Sequence, residues 1–232
     1  MMRHIAWTVM VGLTMLAGCA ADPQDTPPVR SAAPRPLPET FQVKLVTSKG
    51  EIVIEVTPDW APEGAARFRE LVEEHFYDDC RFFRVVTDFM AQVGINGDPQ
   101  VHAKWDTKTI PDDPVIRSNR RGMVTFAKTG APNSRSTQFF INFSGNTSLD
   151  GQGFSPFGKV VSGMDVVDKI TAEYRERPQQ QRIQAEGNAY LAKDFPNLDY
   201  IKTATIISDT TKPSKVKTEE AAPEDKPRAA DG

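Results

Sequence analysis

The chain has 232 residues, 39% of them hydrophobic and 25% charged, which suits one soluble globular core or at most two. A net charge of -3, with no segment gathering the basic residues, excludes a general attraction to nucleic acid. Two cysteines (Cys19 and Cys80) and three scattered histidines (His4, His75 and His102) supply neither a disulfide framework nor a metal-ligand set nor a Ser-His-Asp triad.

Residues 1–19 read as a targeting segment, set apart from the fold. Arg3 and His4 open it, and Ile5 to Leu16 is an apolar run too short to span a bilayer as a stable helix. It ends in Leu16-Ala17-Gly18-Cys19, which resembles a bacterial lipobox. That resemblance implies cleavage before Cys19 and lipidation of its thiol and new amine. A secretory signal with a chance cysteine, or an uncleaved anchor, is the plainer alternative. Each acyl methylene buried in the bilayer adds ~0.8 kcal/mol, so several chains anchor stably. Ala20 rather than aspartate follows Cys19, which by resemblance to lipoprotein sorting leans towards the outer membrane of the cell envelope. Residues 20–40, with Pro23, Pro27, Pro28, Pro34, Pro36 and Pro38, predict a semi-rigid linker.

The globular domain is expected over residues 41–208. Phe41 to Val46 and Glu51 to Val56 alternate with period two around the turn residues Ser48-Lys49-Gly50, which predicts an antiparallel hairpin. Pro62 opens a helix running to about Glu74, with Ala65, Phe68, Leu71 and Val72 on one face. Arg81 to Val86 and Phe89 to Val93 read as strands, preceded by Cys80 as a small half-buried hydrophobe. Gly94 to Asn119 reads as a long excursion, in which His102 and Trp105 either rim a cleft or pin the loop down. Met123 to Ala127, Gln138 to Asn142 and Phe157 to Val161 predict further strands, and Met164 to Ile170 a second helix. Gln179 to Leu191 is a polar insertion with room for a short helix. Tyr200 to Ile207 makes the last strand, and residues 209–232 read as a disordered tail. Many short antiparallel strands with two helices suggest a closed barrel capped at its ends.

Two runs carry the chemistry. In Arg81 to Asp98 (RFFRVVTDFMAQVGINGD) and Gly122 to Leu149 (GMVTFAKTGAPNSRSTQFFINFSGNTSL), apolar side chains alternate with hydrogen-bonding groups. Neither run holds a nucleophile–base pair, which speaks against a hydrolase. Together with LDGQGFSPFGKVVSGMDVVDKI at Leu149 to Ile170, they resemble the cyclophilin-type peptidyl-prolyl cis-trans isomerases over Phe41 to Ser208. The resemblance implies a mainly β fold, a closed eight-stranded antiparallel barrel capped by two α-helices. It also implies an isomerase of X-Pro bonds that needs no cofactor, works as a monomer and takes proline-containing polypeptides, here exported ones.

Rotation about an X-Pro bond meets a barrier of roughly 18–20 kcal/mol, and in the twisted amide the prolyl nitrogen regains a lone pair. A catalyst therefore needs an apolar slot for the ring and a donor for that nitrogen, and no covalent step. By resemblance the donor is Arg84, supported by Gln92, with Gln138 orienting the substrate backbone. The slot is Phe89, Met90, Phe140 and Leu149. Ala127, Lys128 and Thr129 fall where the family pairs its main chain with the substrate. Read from position alone, Arg84 pairs equally well with Asp79 or Asp88, and the four apolar residues serve equally well as core.

The sequence departs from the family at several points. Lys128 stands where many members carry asparagine. Ser148 stands where many carry a tryptophan that contributes to cyclosporin binding, which implies weak inhibition. Phe154 stands near the usual pocket-wall histidine, as an apolar substitute. Gly130-Ala131-Pro132 is one residue longer than the commonest pattern. The rival functional readings are a non-catalytic peptide-binding lipoprotein that uses the same groove, and a structural lipoprotein that uses only the barrel.

Overall fold

The computed structural model describes residues 39–209. The signal segment, Cys19, nearly all of the linker and the tail beyond Asp209 lie outside them. Eight antiparallel strands form one sheet: β1 (Phe41–Thr47), β2 (Glu51–Val56), β3 (Arg84–Val86), β4 (Met90–Val93), β5 (Met123–Phe126), β6 (Phe139–Asn142), β7 (Pro156–Ser162) and β8 (Ile201–Asp209). Their spatial order is β3-β4-β6-β5-β7-β2-β1-β8.

The β1–β2 hairpin follows from its alternation. Phe41, Val43 and Leu45 pair in register with Val56, Ile54 and Ile52, and all six are fully buried. The turn needs Gly50, whose φ of 139° suits a residue without a Cβ. Helix α1 (Pro62–Glu73) starts with its proline where no N–H partner is needed. It lays Phe68 into the concave face of the sheet, 4.9 to 5.4 Å from the rings of Phe157, Phe139 and Tyr77. Burying one such ring stabilises the fold by about 1.5–3 kcal/mol.

Two expectations are corrected. The barrel is not closed: the sheet is an open half-barrel whose edge strands β3 and β8 share no ladder. An isolated bridge, Arg81 to Tyr200, and the bond from the Phe82 N–H to the Asp199 carbonyl at 2.9 Å span the gap. The ladder to β4 covers only Arg84–Val86, so β3 is three residues long and only the bonds at residues 80–82 reach towards β8.

The helical complement also differs from two caps. The second expected helix shrinks to α3 (Met164–Val167), and two more helices appear among the described residues. Helix α2 (Pro99–Asp106) lies inside the excursion, where Asp98 caps it by accepting from the Gln100 N–H at 2.8 Å. It buries His102 and Trp105, which therefore pin the segment and do not rim a cleft. Helix α4 (Gln180–Asp194) fills the insertion and kinks at Gly187, whose φ is 60°. A Cβ there would run into the Gly97 carbonyl, so the close approach of this helix to the excursion requires glycine. Around α4 a second apolar cluster, including Tyr174, Ile183, Tyr190 and Phe195, packs onto Phe83 and Ile95. Cys80 is fully rather than half buried; burial, then Asp79 and Asp78, pushes its thiol up, so it is an inert packing group.

Candidate active site

The site is assembled by register. In the β3–β4 pair, Arg84 lies opposite Gln92, so both side chains leave the same face of the sheet. In the β4–β6 pair, Gln92 lies opposite Phe140, which brings the apolar group beside the polar one. Arg84 Nη1 donates to Gln92 Oε1 at 3.1 Å, and Gln92 Nε2 donates to Gln138 Oε1 at 2.8 Å. The amides thus form a directed chain leading away from the guanidinium. The Arg84 guanidinium also lies 5.9 Å from the Phe89 ring centroid, a cation–π distance.

Beside this chain, Met90, Phe140 and Leu149 form a small apolar cluster separate from the main core, with Phe89, Ala127 and Phe154 against it. Phe140 and Phe154 meet edge-on at 5.9 Å. Together these groups border a groove of about 490 Å³. All eleven domain residues singled out from the sequence (Arg84, Gln92, Gln138, Phe89, Met90, Ala127, Lys128, Thr129, Phe140, Leu149 and Phe154) line it. Cys19 lies outside the described residues.

The Leu149 wall hangs on a 3-10 turn, Thr147–Gln152, secured by Asn119. Asn119 is fully buried, and its Nδ2 donates to Asp150 Oδ1 and to the Phe154 carbonyl, both at 2.8 Å. Thr125 Oγ1 donates to Asn119 Oδ1 at 2.8 Å, which ties the wall to the central strands. Desolvation raises the Asp150 carboxyl, but bonds from Ser118 and Asn119 outweigh it and hold the group below its ordinary range. Sequence reasoning missed Asn119, because a polar residue in an excursion carries no mark of burial.

Residues 42–187 match the family model described as cyclophilin type peptidyl-prolyl cis-trans isomerase/CLD. The chain belongs to the cyclophilin-type peptidyl-prolyl cis-trans isomerase family. A probable peptidyl-prolyl cis-trans isomerase of Brucella abortus (strain 2308) is 34% identical over 201 residues, spanning 82% of this chain and 87% of the relative. Peptidyl-prolyl cis-trans isomerase B of Escherichia coli (strain K12) is 36% identical over 176 residues, 72% of this chain and 99% of the relative. Among solved structures, cyclophilin AquaCyp293 from Hirschia baltica aligns with a TM-score of 0.55 at 21% identity, covering 74% of this chain and 75% of that one. A Cryptosporidium parvum cyclophilin crystallised in the presence of the dipeptide Ala-Pro aligns with a TM-score of 0.55 at 21% identity, covering 72% and 99%. At these identities the structures speak for the fold alone.

Two ion pairs border the groove. Lys128 turns aside: its Nζ lies 3.5 Å from Asp112, which also faces the buried Arg135 at 3.6 Å. The Asn133 backbone N–H holds the Asp112 carboxyl below its ordinary range, and both cations add to this. The second pair is that of Arg84, whose partner is neither Asp79 nor Asp88. Arg84 Nε and Nη2 meet Glu176 Oε1 at 2.7 and 2.6 Å. Glu176 precedes α4, whose Gln180 and Gln184 line the groove together with Asp106 of α2. Nothing in the sequence pattern marked this acidic and amide-bearing side.

Proposed function

We propose that this cyclophilin speeds cis-trans rotation of X-Pro bonds in exported polypeptides, with Arg84 at the centre of the reaction. The observation that carries this reading is the Arg84–Gln92–Gln138 chain set against the separate cluster of Met90, Phe140 and Leu149. The cluster takes the proline ring, and apolar burial holds that half of the substrate. As the amide twists, an Arg84 N–H donates to the nitrogen lone pair that conjugation had withheld. Arg84 is permanently charged and already oriented, so little reorganisation accompanies the step. Gln138 holds the substrate backbone, and Ala127, Lys128 and Thr129 present main chain for it to lie along. The catalyst stabilises the twisted amide over both planar forms, and no bond is made or broken.

The same reading places the enzyme in the cell envelope as a monomer. Lipid on Cys19 anchors it facing the periplasm, at the outer membrane, and the proline-rich linker holds the domain clear of the surface. Exported chains with slow prolyl steps are its substrates. Cys19→Ser tests the anchor: the parent chain incorporates a labelled fatty acid and the variant does not, whereas a parent that takes up no label overturns the lipoprotein assignment.

The catalytic test is cis-trans exchange of a short X-Pro peptide by NMR, with the full chain and its Arg84→Ala variant. We expect the parent to accelerate exchange and the variant to lose about a hundredfold of that rate with an unchanged melting temperature. Peptide binding without acceleration by the parent would make the groove a binding module.

A further inference from the structure

We infer that Glu176 is a positioning residue for catalysis, gripping Arg84 from the side opposite Gln92 so that the guanidinium meets the substrate in one orientation. The inference rests on the reading of Arg84 as the amide donor and deepens it.

Guanidinium offers five N–H donors in a rigid plane. Glu176 Oε1 engages Nε and Nη2 along one edge, and Gln92 Oε1 engages Nη1 along another. One N–H remains on Nη2 and one on Nη1, whose nitrogen lies 4.0 Å from the Met90 sulfur. The two committed edges fix rotation of the plane about the side chain, while the remaining Nη1 donor belongs to the nitrogen beside the slot residue Met90.

The segment that carries Glu176 is itself built in. The Val85 N–H donates to the Arg175 carbonyl at 3.1 Å, so the residues on either side of this bond are the two charged partners, Arg84 and Glu176. Arg175 adopts a φ of 51°, a left-handed conformation that side chains other than glycine resist. Tyr174, buried against Phe195 at 5.1 Å, fixes the preceding residue. A strained backbone next to a residue that grips the proposed donor points to function.

Stability does not explain the pair. Glu176 is 58% exposed and Arg84 32%, and an ion pair so open to water adds little to folding. Held geometry is worth more: small misplacement of a catalytic group lowers rates steeply. The neutral amide of glutamine still presents an acceptor oxygen, so orientation and charge are separable by substitution.

The test measures NMR exchange of an X-Pro tetrapeptide at several concentrations, with thermal melts, for the full chain and for Glu176→Ala, Glu176→Gln, Arg84→Ala and the double alanine variant. We expect Glu176→Ala to lower kcat about tenfold with KM within about twofold and an unchanged melting temperature. Glu176→Gln recovers most of that loss. In the Arg84→Ala background, Glu176→Ala has no further effect, because nothing is left to position. Parental or raised kcat in Glu176→Ala, beside an inactive Arg84→Ala, overturns the clamp while leaving Arg84 as donor. Equal loss in Glu176→Ala and Glu176→Gln overturns it in favour of a charge effect. Parental activity in Arg84→Ala sinks the donor reading itself, and the clamp with it.

Discussion

The two sides of the groove are built from different material. On one side, Met90, Phe140 and Leu149 are all but buried, and two of the three sit on strands paired on both sides. On the other, Arg84 sits on a three-residue edge strand and pairs with Glu176 from the segment before α4, while Gln180 and Gln184 of α4 line the groove. The apolar side inherits its shape from the ladder, where one shift of register would turn every side chain over. The polar side joins residues of β3 and β4 to a segment from outside the sheet, and a few hydrogen bonds hold the two together. On the proposed reading the first takes the proline ring, and the second is free to vary what surrounds it.

The hardest way to break this contrast is Phe140→Ala. Phe140 is 4% exposed and packs against Phe154, Met90 and Leu149. Its loss should cost about 3 kcal/mol of stability and weaken peptide binding sharply. Arg84→Ala, on the polar side, should cost activity alone. Chemical denaturation read beside exchange kinetics separates them. Equal stability losses in the two variants would erase the distinction.

A pH titration probes the attachment of the polar side. His102 sits on α2, which packs against α4, and only 3% of its side chain is exposed. Desolvation lowers its pKa from the ordinary 6.5, opposed only in part by Asp106. The imidazole is therefore more readily protonated in the unfolded chain than in the folded one. Below pH 6.5 the unfolded state gains protons first, so stability is lost as the pH falls from 6.5 through the lower folded value. Melting temperatures at pH 7 and pH 5 should show this loss, and His102→Gln should lessen it. An undiminished drop in the variant would assign the acid sensitivity elsewhere.

The same contrast explains what was legible in the sequence. Alternation over Phe41–Thr47 and Glu51–Val56 fixes a hairpin because a buried face enforces period two. The groove residues of the central strands were legible because three ordered motifs carry them. Asp98-Pro99 holds a capping signal for α2, but so few apolar residues follow it that the pattern resembles a loop. Whether β3 and β8 join is decided by how far β3 extends, and a strand of three residues is too short to leave a periodic trace. Glu176 lies 92 positions from Arg84, so their pairing is a property of the fold and of no local pattern. Lipidation of Cys19 remains a reading of motif alone, since the residue lies outside those described.

The finest distinction concerns α4 itself. Gln180 and Gln184 lie one helical turn apart and both line the groove. Neither belongs to the apolar slot, and neither bonds to Arg84. A tetrapeptide can occupy the slot and reach Arg84 with little chain left over, so Gln180→Ala combined with Gln184→Ala should leave its exchange unchanged. A longer unfolded chain has flanking residues to lie against α4, where each amide offers donors and an acceptor. A hydrogen bond in so open a position contributes about 0.5 kcal/mol, hence about a twofold change in affinity for each amide removed. Refolding of a proline-limited protein should therefore show KM raised about two- to fourfold by the double substitution, with kcat unchanged. An equal effect on both substrates would place the glutamines at the prolyl centre, and no effect on either would reduce α4 to a support for Glu176.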